Sequence, residues 1–555
     1  MLSSLSARSS SRVARSRPSR LGLSVVATLL AAIGPLAASG QAPLSPPSDF
    51  PTELRTHAER TGFSELTPAD EVVRFYQNLA RHSDDVRVME IGQTREGRPI
   101  LGVTVASPAV AEPWEAHVSG KPIIFIGASV HGNEPAGKEG LMLFARELAL
   151  GNAQDLLSDG VFVFVPQINP DAGEANESGT RTNPAGYNVN RDYARLVNPE
   201  TRAVVEEILV PWRPHVAVDA HELSGAHAYD FYALHPSHLS TPSAVRELAA
   251  GPATDAVREA IEGGGFGYFP YHLLPSDPTT IPEVGIFGAG YGVRILRSYG
   301  GVRGAISLLF ESRRDADPTQ RIEERALWHY LAMEGVSRWA VENGGQVVAA
   351  VAEGRAENER LGSVYDAADT IVVRAELVPG DPVQYRTPEM RRGPDGGYEP
   401  TGDVLEVEVP FQNRIRGVVV RPRPVGYFIE AHRGDLAEEL VRHGLQVERV
   451  DGLVRTPVQS FIVDSVEVAS SPSEGYYERS VWTSLEERSA VFPRGGYLVR
   501  ASQPMAGLAF ALLEPEDIDS FASEGRYDAE MSVGDALPVH RLRELPDVAG
   551  ILMTP

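Results

Sequence analysis

The sequence predicts an α/β fold: a mixed, largely parallel sheet with helices on both faces, followed by a mostly β accessory region. Three observations predict it. Four short runs, 122–129 (PIIFIGAS), 161–168 (VFVFVPQI), 215–220 (HVAVDA) and 305–310 (AISLLF), are almost continuously apolar, as strands buried on both faces are. Stretches of helical period at 137–150, 199–209, 241–262 and 320–343 alternate with them, the arrangement of a layered α/β domain. Beyond residue 346 the pattern changes to alternating runs such as 404–409 (VLEVEV) and the short 417–420 (GVVV), which suit strands. The chain has 555 residues, too many for one compact core, so two or three domains are expected.

Taken in chain order, the N-terminus reads as an export signal. Arg8, Arg12, Arg15, Arg17 and Arg20 precede an apolar run over 21–38, and the small residues Ala37, Ala38, Ser39 and Gly40 offer cleavage before Gln41. A retained membrane anchor is the competing reading, but the run holds Gly34 and Pro35 and is barely long enough to span a bilayer. The expected organisation is a signal peptide over 1–40, a Pro/Ser-rich linker over 41–52, a catalytic domain over 53–345, and an accessory region of one or two units over 346–555. Within the last, 393–397 reads as a turn. Residues 427–429, 436–443 and 445–450 read as strand, helix and strand, and 496–500 and 508–513 as strands. Gly263-Gly264-Gly265 does not follow a strand in the manner of a nucleotide-binding loop.

Composition narrows the function. A formal net charge of −24 argues against a nucleic-acid partner. Cysteine is absent, so no disulfide braces the fold and no lipid-anchor cysteine follows the signal. Secreted and periplasmic locations both remain open, and no stable membrane insertion is expected once the signal is cleaved.

The chemistry-bearing residues follow the predicted strands, where ligand sites form in open α/β sheets. His131 and Glu134 form an HxxE pair after the first, and His221 ends the third. Two imidazoles and a carboxylate are the protein ligands of a catalytic zinc site whose fourth position is open. Glu311 ends the fourth strand. A carboxylate there is costly to bury without a partner, so it is either salt-bridged to Arg313 or Arg314 or acts as a general base toward metal-activated water. Arg181, Asn190 and Arg191 lie in one loop-like stretch. Their guanidinium and amide groups can hold a terminal carboxylate and stabilise an oxyanion. The alternative is structural pairing of Arg191 with Asp192 or Asp219.

These segments resemble the zinc metallocarboxypeptidase family typified by carboxypeptidase A. His131-Gly132-Asn133-Glu134-Pro135 is similar to its HxxE zinc motif, Asn169-Pro170-Asp171 to its NPDG segment, and Arg181 through Asn190-Arg191 to its Arg…NR segment. Phe310-Glu311 is similar to its catalytic glutamate at a strand end. The resemblance covers roughly residues 65–340. It implies one zinc on His131, Glu134 and His221, with Glu311 as base. It further implies that Arg181 polarises the scissile carbonyl and that Asn190 and Arg191 bind the substrate's C-terminal carboxylate. Three positions depart from the family pattern. Asn188 stands where an aspartate partner of a zinc histidine is usual. Glu222 stands where serine is frequent, adding negative charge beside the metal. The mobile substrate-side tyrosine falls nearest Tyr291, with Tyr299 competing. Leu296 and Ile306 point to an apolar selectivity pocket, while Arg294, Arg297 and Arg303 point to an acidic substrate side chain.

The resulting expectation is a secreted zinc carboxypeptidase acting on peptides or peptide-like substrates with a free C-terminal carboxylate. Two alternatives accompany it. One is a zinc amidohydrolase of murein stem peptides or N-acyl amino acids. The other is a catalytically silent binding protein of the same fold, supported only by Asn188 and Glu222.

Overall fold

The computed structural model describes residues 44–236, 238–394 and 396–554. The predicted signal peptide and the first residues of the predicted linker lie outside the described residues.

The main sheet is built from β1 (Val86–Gln93), β2 (Pro99–Val105), β3 (Ile123–Ala128), β4 (Val161–Val165), β5 (Val216–Leu223), β6 (Phe231–Leu234), β7 (Tyr268–Pro270) and, after the short β8 (Ile286–Phe287), β9 (Ile306–Arg313). Their order is β1-β2-β4-β3-β5-β9-β6-β7. The central strands β4-β3-β5-β9 are mutually parallel, while β1, β2 and β6 join antiparallel. The four apolar runs therefore form the centre of the sheet. Successive side chains of a strand point to opposite faces, and here both faces are dry. Phe125, Val163 and Ala217 enter one core, whereas Ile124, Ile126, Phe162, Phe164 and Val218 enter the other. That two-sided burial is why these strands lack a polar alternation.

Helices cover both faces. Ala136–Leu150 is buried along all but its last residue, and Ile322–Glu342 packs against it. The predicted helix 199–209 runs Pro199–Arg202, then through a wider π turn Ala203–Leu209 into Val210–Trp212. The predicted helix 241–262 is likewise two α segments, Ser243–Leu248 and Thr254–Gly263, joined by a π turn Ala249–Ala253 that contains Pro252. Proline lacks an N–H and crowds the preceding turn, and a π insertion accommodates it. Residues 44–54 lie against the helix Ala136–Leu150. The Ser45 amide and hydroxyl both donate to Glu147 (3.2 and 2.7 Å), and Phe50 and Leu54 are buried.

After the helix Gly344–Leu361 come β10 (Thr370–Val378), β11 (Val383–Arg392), β12 (Tyr398–Val409), β13 (Phe411–Gln412) and β14 (Arg414–Pro422). β10 pairs with β14, and β11 with β12. A second, antiparallel sheet has the order β18-β17-β20-β15-β19-β16-β21. Its strands are β15 (Gly426–Ile429), β16 (Val447–Val450), β17 (Val454–Val468), β18 (Arg479–Phe492), β19 (Tyr497–Arg500), β20 (Ala536–Leu542) and β21 (Gly550–Leu552). One expectation fails here: 508–513 is not a strand but part of the helix Ala506–Leu513, buried all round. An apolar run buried on every side carries no period. The alanines and leucines of this run are helix formers, and β-branched residues are absent from it.

The second region does not stand apart. Its Tyr427, Leu440 and Phe510 share one continuous core with Phe125, Trp212 and Tyr299. It thus covers one of the faces left by the main sheet. It also pairs with the excursion between β7 and β9, where β13 runs parallel to β8 (Phe411 opposite Ile286).

Candidate active site

The loop after β3 supplies His131 and Glu134. Gly132 is required there: a Cβ on it would lie 2.1 Å from the backbone of Ala172. That residue belongs to the turn opened by Asn169-Pro170-Asp171. Asn169 donates to Val130 O (3.2 Å) and accepts from the Ala172 amide. Asp171 accepts from Thr94, the Glu96 amide and Arg98. The segment that resembles NPDG therefore braces the histidine loop through these bonds.

β5 brings His221 beside this loop, and the three potential ligand atoms of His131, Glu134 and His221 lie within 4.8 Å of one another. Nδ1 of His131 is 3.0 Å and Nδ1 of His221 is 2.8 Å from Glu134 Oε2. The two Nδ1 atoms are 3.1 Å apart. Each outer ring nitrogen faces an oxygen acceptor. His131 Nε2 is 2.9 Å from Asn188 Oδ1, and His221 Nε2 is 2.8 Å from Asp219 Oδ1. An acceptor on the outer nitrogen places the proton there and turns the inner lone pair toward a metal. The donor set, two imidazole nitrogens and one carboxylate, suits zinc. Asn188 therefore provides the acceptor its position calls for, without the charge of an aspartate.

Glu311 is the cross-strand neighbour of His221, on β9. It is buried, and its Oε2 has no hydrogen-bond partner among the described residues. The salt-bridge reading fails, because Arg313 pairs with Asp230 and Arg314 donates to Asn133 O. Burial pushes the Glu311 carboxyl well above the usual range; Glu134 adds to this, and the nearby cations of His221 and Arg181 oppose it.

Glu222 departs from expectation. β5 alternates, so Asp219 and His221 face the site while Glu222 faces the helices. There it accepts from Arg325 Nε (2.8 Å) and Nη2 (3.1 Å), from Ser312 and from the Ala136 amide. Its charge is matched by Arg325 rather than added beside the metal.

Arg181 donates to Glu134 Oε1 (2.9 Å) and is half-exposed. Arg191 donates to Asn190 O. Burial, with the Arg181 and Arg294 cations, lowers its guanidinium pKa from the usual range. It does not pair with Asp192, which accepts from Asn198 and Thr201. Asn190, which lines the smaller of the site's cavities, is buried and its side chain is engaged. Its amide donates to Asp219 (3.1 Å), lies 2.9 Å from His221 Nε2, and its Oδ1 accepts from the Leu296 amide. Through its bond to Asp219, the acceptor for His221 Nε2, Asn190 steadies the imidazole.

Two cavities share Glu311, Arg181, Tyr271 and Leu273 in their walls. The smaller, about 350 Å³, is lined by His131, His221, Asn190 and Arg191. The larger, about 950 Å³, runs from Glu134 and Glu311 toward His227, Leu274 and residues of β11 and β12. Neither expected tyrosine reaches them. The Tyr291 hydroxyl donates to Ala375 O and accepts from Ala375 N, and Tyr299 contacts His443. The tyrosine that lines both cavities is Tyr271, just past β7, whose pKa burial and then the Glu311 charge raise. Counting back from Glu311 misses it because the excursion 272–305 intervenes; its signal is the short strand Tyr268–Pro270 that delivers it. The pocket arginines are also engaged. Arg294 pairs with Asp519 and Glu478. Arg297 donates to His235 O and Gly290 O, and Arg303 to His443 O and Leu209 O. Leu296 and Ile306 do not line the smaller cavity; Leu273, Ile295, Leu309 and Ile518 do.

A sequence model of the family described as Zinc carboxypeptidase matches residues 72–256. This span includes the three clustered residues, Arg181 and Arg191, and ends before Glu311. Carboxypeptidase 2 of Trichophyton rubrum is 28% identical over 505 residues, covering 87% of this chain and 88% of that protein. Carboxypeptidase D of Homo sapiens is 30% identical over 155 residues, covering 25% of this chain and 11% of that one. Among solved structures, carboxypeptidase A from Helicoverpa armigera aligns with a TM-score of 0.40 at 17% identity, covering 51% of this chain and 75% of that one. Residues 72–256 therefore carry a zinc carboxypeptidase domain, the relatives that align along most of the chain are carboxypeptidases, and the chain is a metallocarboxypeptidase.

Proposed function

We propose that this chain is an exported, zinc-dependent carboxypeptidase that releases single residues from the free carboxyl ends of peptides. The observation that carries the reading is the buried Glu311 carboxylate, whose Oε2 has no partner among the described residues, one strand from His221 and in the walls of both cavities. His131, Glu134 and His221 would hold one zinc, which supplies Lewis-acid polarisation of the scissile carbonyl. Glu311 takes a proton from water in the cleft and passes it to the leaving amine. Arg181 stabilises the developing oxyanion, and Arg191 grips the terminal carboxylate. Asn190 is the positioning residue for His221, and Tyr271 closes the site over the substrate. The apolar residues Leu273, Ile295, Leu309 and Ile518 favour an apolar terminal side chain. Export rests on the basic, apolar and small-residue pattern of 1–40. Among the described residues no helix is long and apolar enough to cross a membrane.

The test is a panel of peptides differing in their last residue, with a murein stem peptide and an N-acyl amino acid included. Release of one terminal residue, abolished by chelation and restored by zinc, is expected. Cleavage of only the murein or acyl substrate would replace the peptide reading. Bound zinc without any turnover would favour a binding protein.

Asn188→Asp is expected to tighten zinc binding about 10–100-fold, because a charged acceptor makes the His131 ring a better donor. Competition with a chromogenic chelator measures this. Unchanged affinity would mean that Asn188 does not tune His131.

A further inference from the structure

The accessory hairpin β11–β12 reaches the larger cavity. Pro388 and Met390 on β11, and Tyr398 and Pro400 on β12, all line it. Met390 stands directly opposite Pro400, and Arg392 opposite Tyr398. Residues two apart on a strand share a face, and so do directly opposed pairs. Met390, Pro400 and Tyr398 therefore share one mostly apolar face with Arg392, whose guanidinium lies over the Tyr398 ring (6.0 Å to its centre), and Pro388 joins them along the cleft. The opposite face is polar: Arg391 pairs with Glu399, and Thr401 donates to Glu389.

The hairpin is fixed rather than free-hanging. Tyr385, near its base, is buried among Ile281, Ile286, Val409 and Phe411. Its hydroxyl is 2.8 Å from His272 Nε2. Near the tip, the Tyr398 ring lies under the Arg392 guanidinium of the facing strand. An accessory element thus presents a held apolar surface to the same chamber as Glu134, Arg181 and Glu311.

Direction follows from the clamp, and so this inference rests on the carboxypeptidase reading. With the terminal carboxylate at Arg191 in the smaller cavity and the scissile bond at Glu311, the rest of the peptide must leave through the larger one. We propose that the apolar face of β11–β12 is the wall that binds substrate residues upstream of the scissile bond, and that it selects peptides apolar there. Leu274 and Pro275 line the same chamber and add to its apolar surface. The hairpin makes the accessory region part of the specificity machinery.

The test compares N-acetylated dipeptides with N-acetylated hexapeptides that share the same last two residues, the hexapeptides carrying leucine or glutamate upstream. For the wild-type protein, leucine-bearing hexapeptides are expected to be the better substrates. In Met390→Ala, and in Met390→Ala combined with Tyr398→Ala, the ratio of hexapeptide to dipeptide kcat/KM is expected to fall about 10-fold. The dipeptide rate reports whether each variant folds. A ratio unchanged in both variants, or no wild-type preference for leucine over glutamate upstream, would overturn the hairpin's role while leaving the carboxypeptidase reading intact. Release from no peptide of either length would overturn the carboxypeptidase reading and the wall with it.

Discussion

Glu311→Gln is expected to lower peptide release by about 10²–10⁴-fold, the contribution of a positioned general base. The amide keeps the shape of the carboxyl but cannot accept the proton. Glu311 is not one of the clustered ligand residues, so zinc content is expected to match the wild type. Stability should not fall either. The carboxyl is buried with one oxygen unpartnered, and burying a charge without a partner is unfavourable, so the neutral amide removes a cost. Single-turnover peptide cleavage, metal analysis and thermal melting together check this. Near-wild-type cleavage would remove Glu311 from the mechanism. A loss of zinc would show that it supports the metal site instead.

The second large effect is on stability. Arg325→Ala is expected to destabilise the protein by about 3–5 kcal/mol, because it strands the Glu222 carboxylate in a dry interior. Both side chains are fully buried, and Arg325 supplies two of the donors that Glu222 accepts. The effect should reach the site. The Glu222 amide donates to Glu134 Oε2 (3.1 Å), so a displaced Glu222 loosens a proposed zinc ligand and weakens metal binding. Replacing both partners by apolar residues, Glu222→Leu with Arg325→Met, is expected to recover much of the loss, since an apolar pair leaves no charge unpaired. Denaturant unfolding of the wild type, the single variant and the double variant measures the differences. A single variant as stable as the wild type would show that water or another cation reaches Glu222.

Much of this site is legible in the amino-acid sequence. His131, Glu134, His221 and Glu311 each follow or end an apolar run that is a central strand, and parallel strands deliver their carboxyl ends to one edge of the sheet. The Asn188 position is legible as a partner of a histidine only through the family resemblance, which implies an aspartate partner there. Other roles are not. Beside Arg191, Asn190 reads as a substrate contact, and its bond to Asp219 is set by β5, a strand remote in sequence. Counting along the chain leads to Tyr291, because the count ignores the path taken between β7 and β9.

The sequence by itself determined the central sheet, the buried character of both its faces and which histidines and carboxylate cluster as potential metal ligands. Those properties are local: a run buried on two sides must be apolar throughout, and a metal site must draw on histidine and carboxylate. Only the tertiary structure decided what depends on distant partners. It set Glu222 against Arg325, brought Tyr271 rather than Tyr291 to the cleft, and made a helix of Ala506–Leu513. It also turned the β11–β12 hairpin into a cleft wall, because each of these rests on packing between segments tens to hundreds of residues apart, whose free energy no single stretch of the chain records.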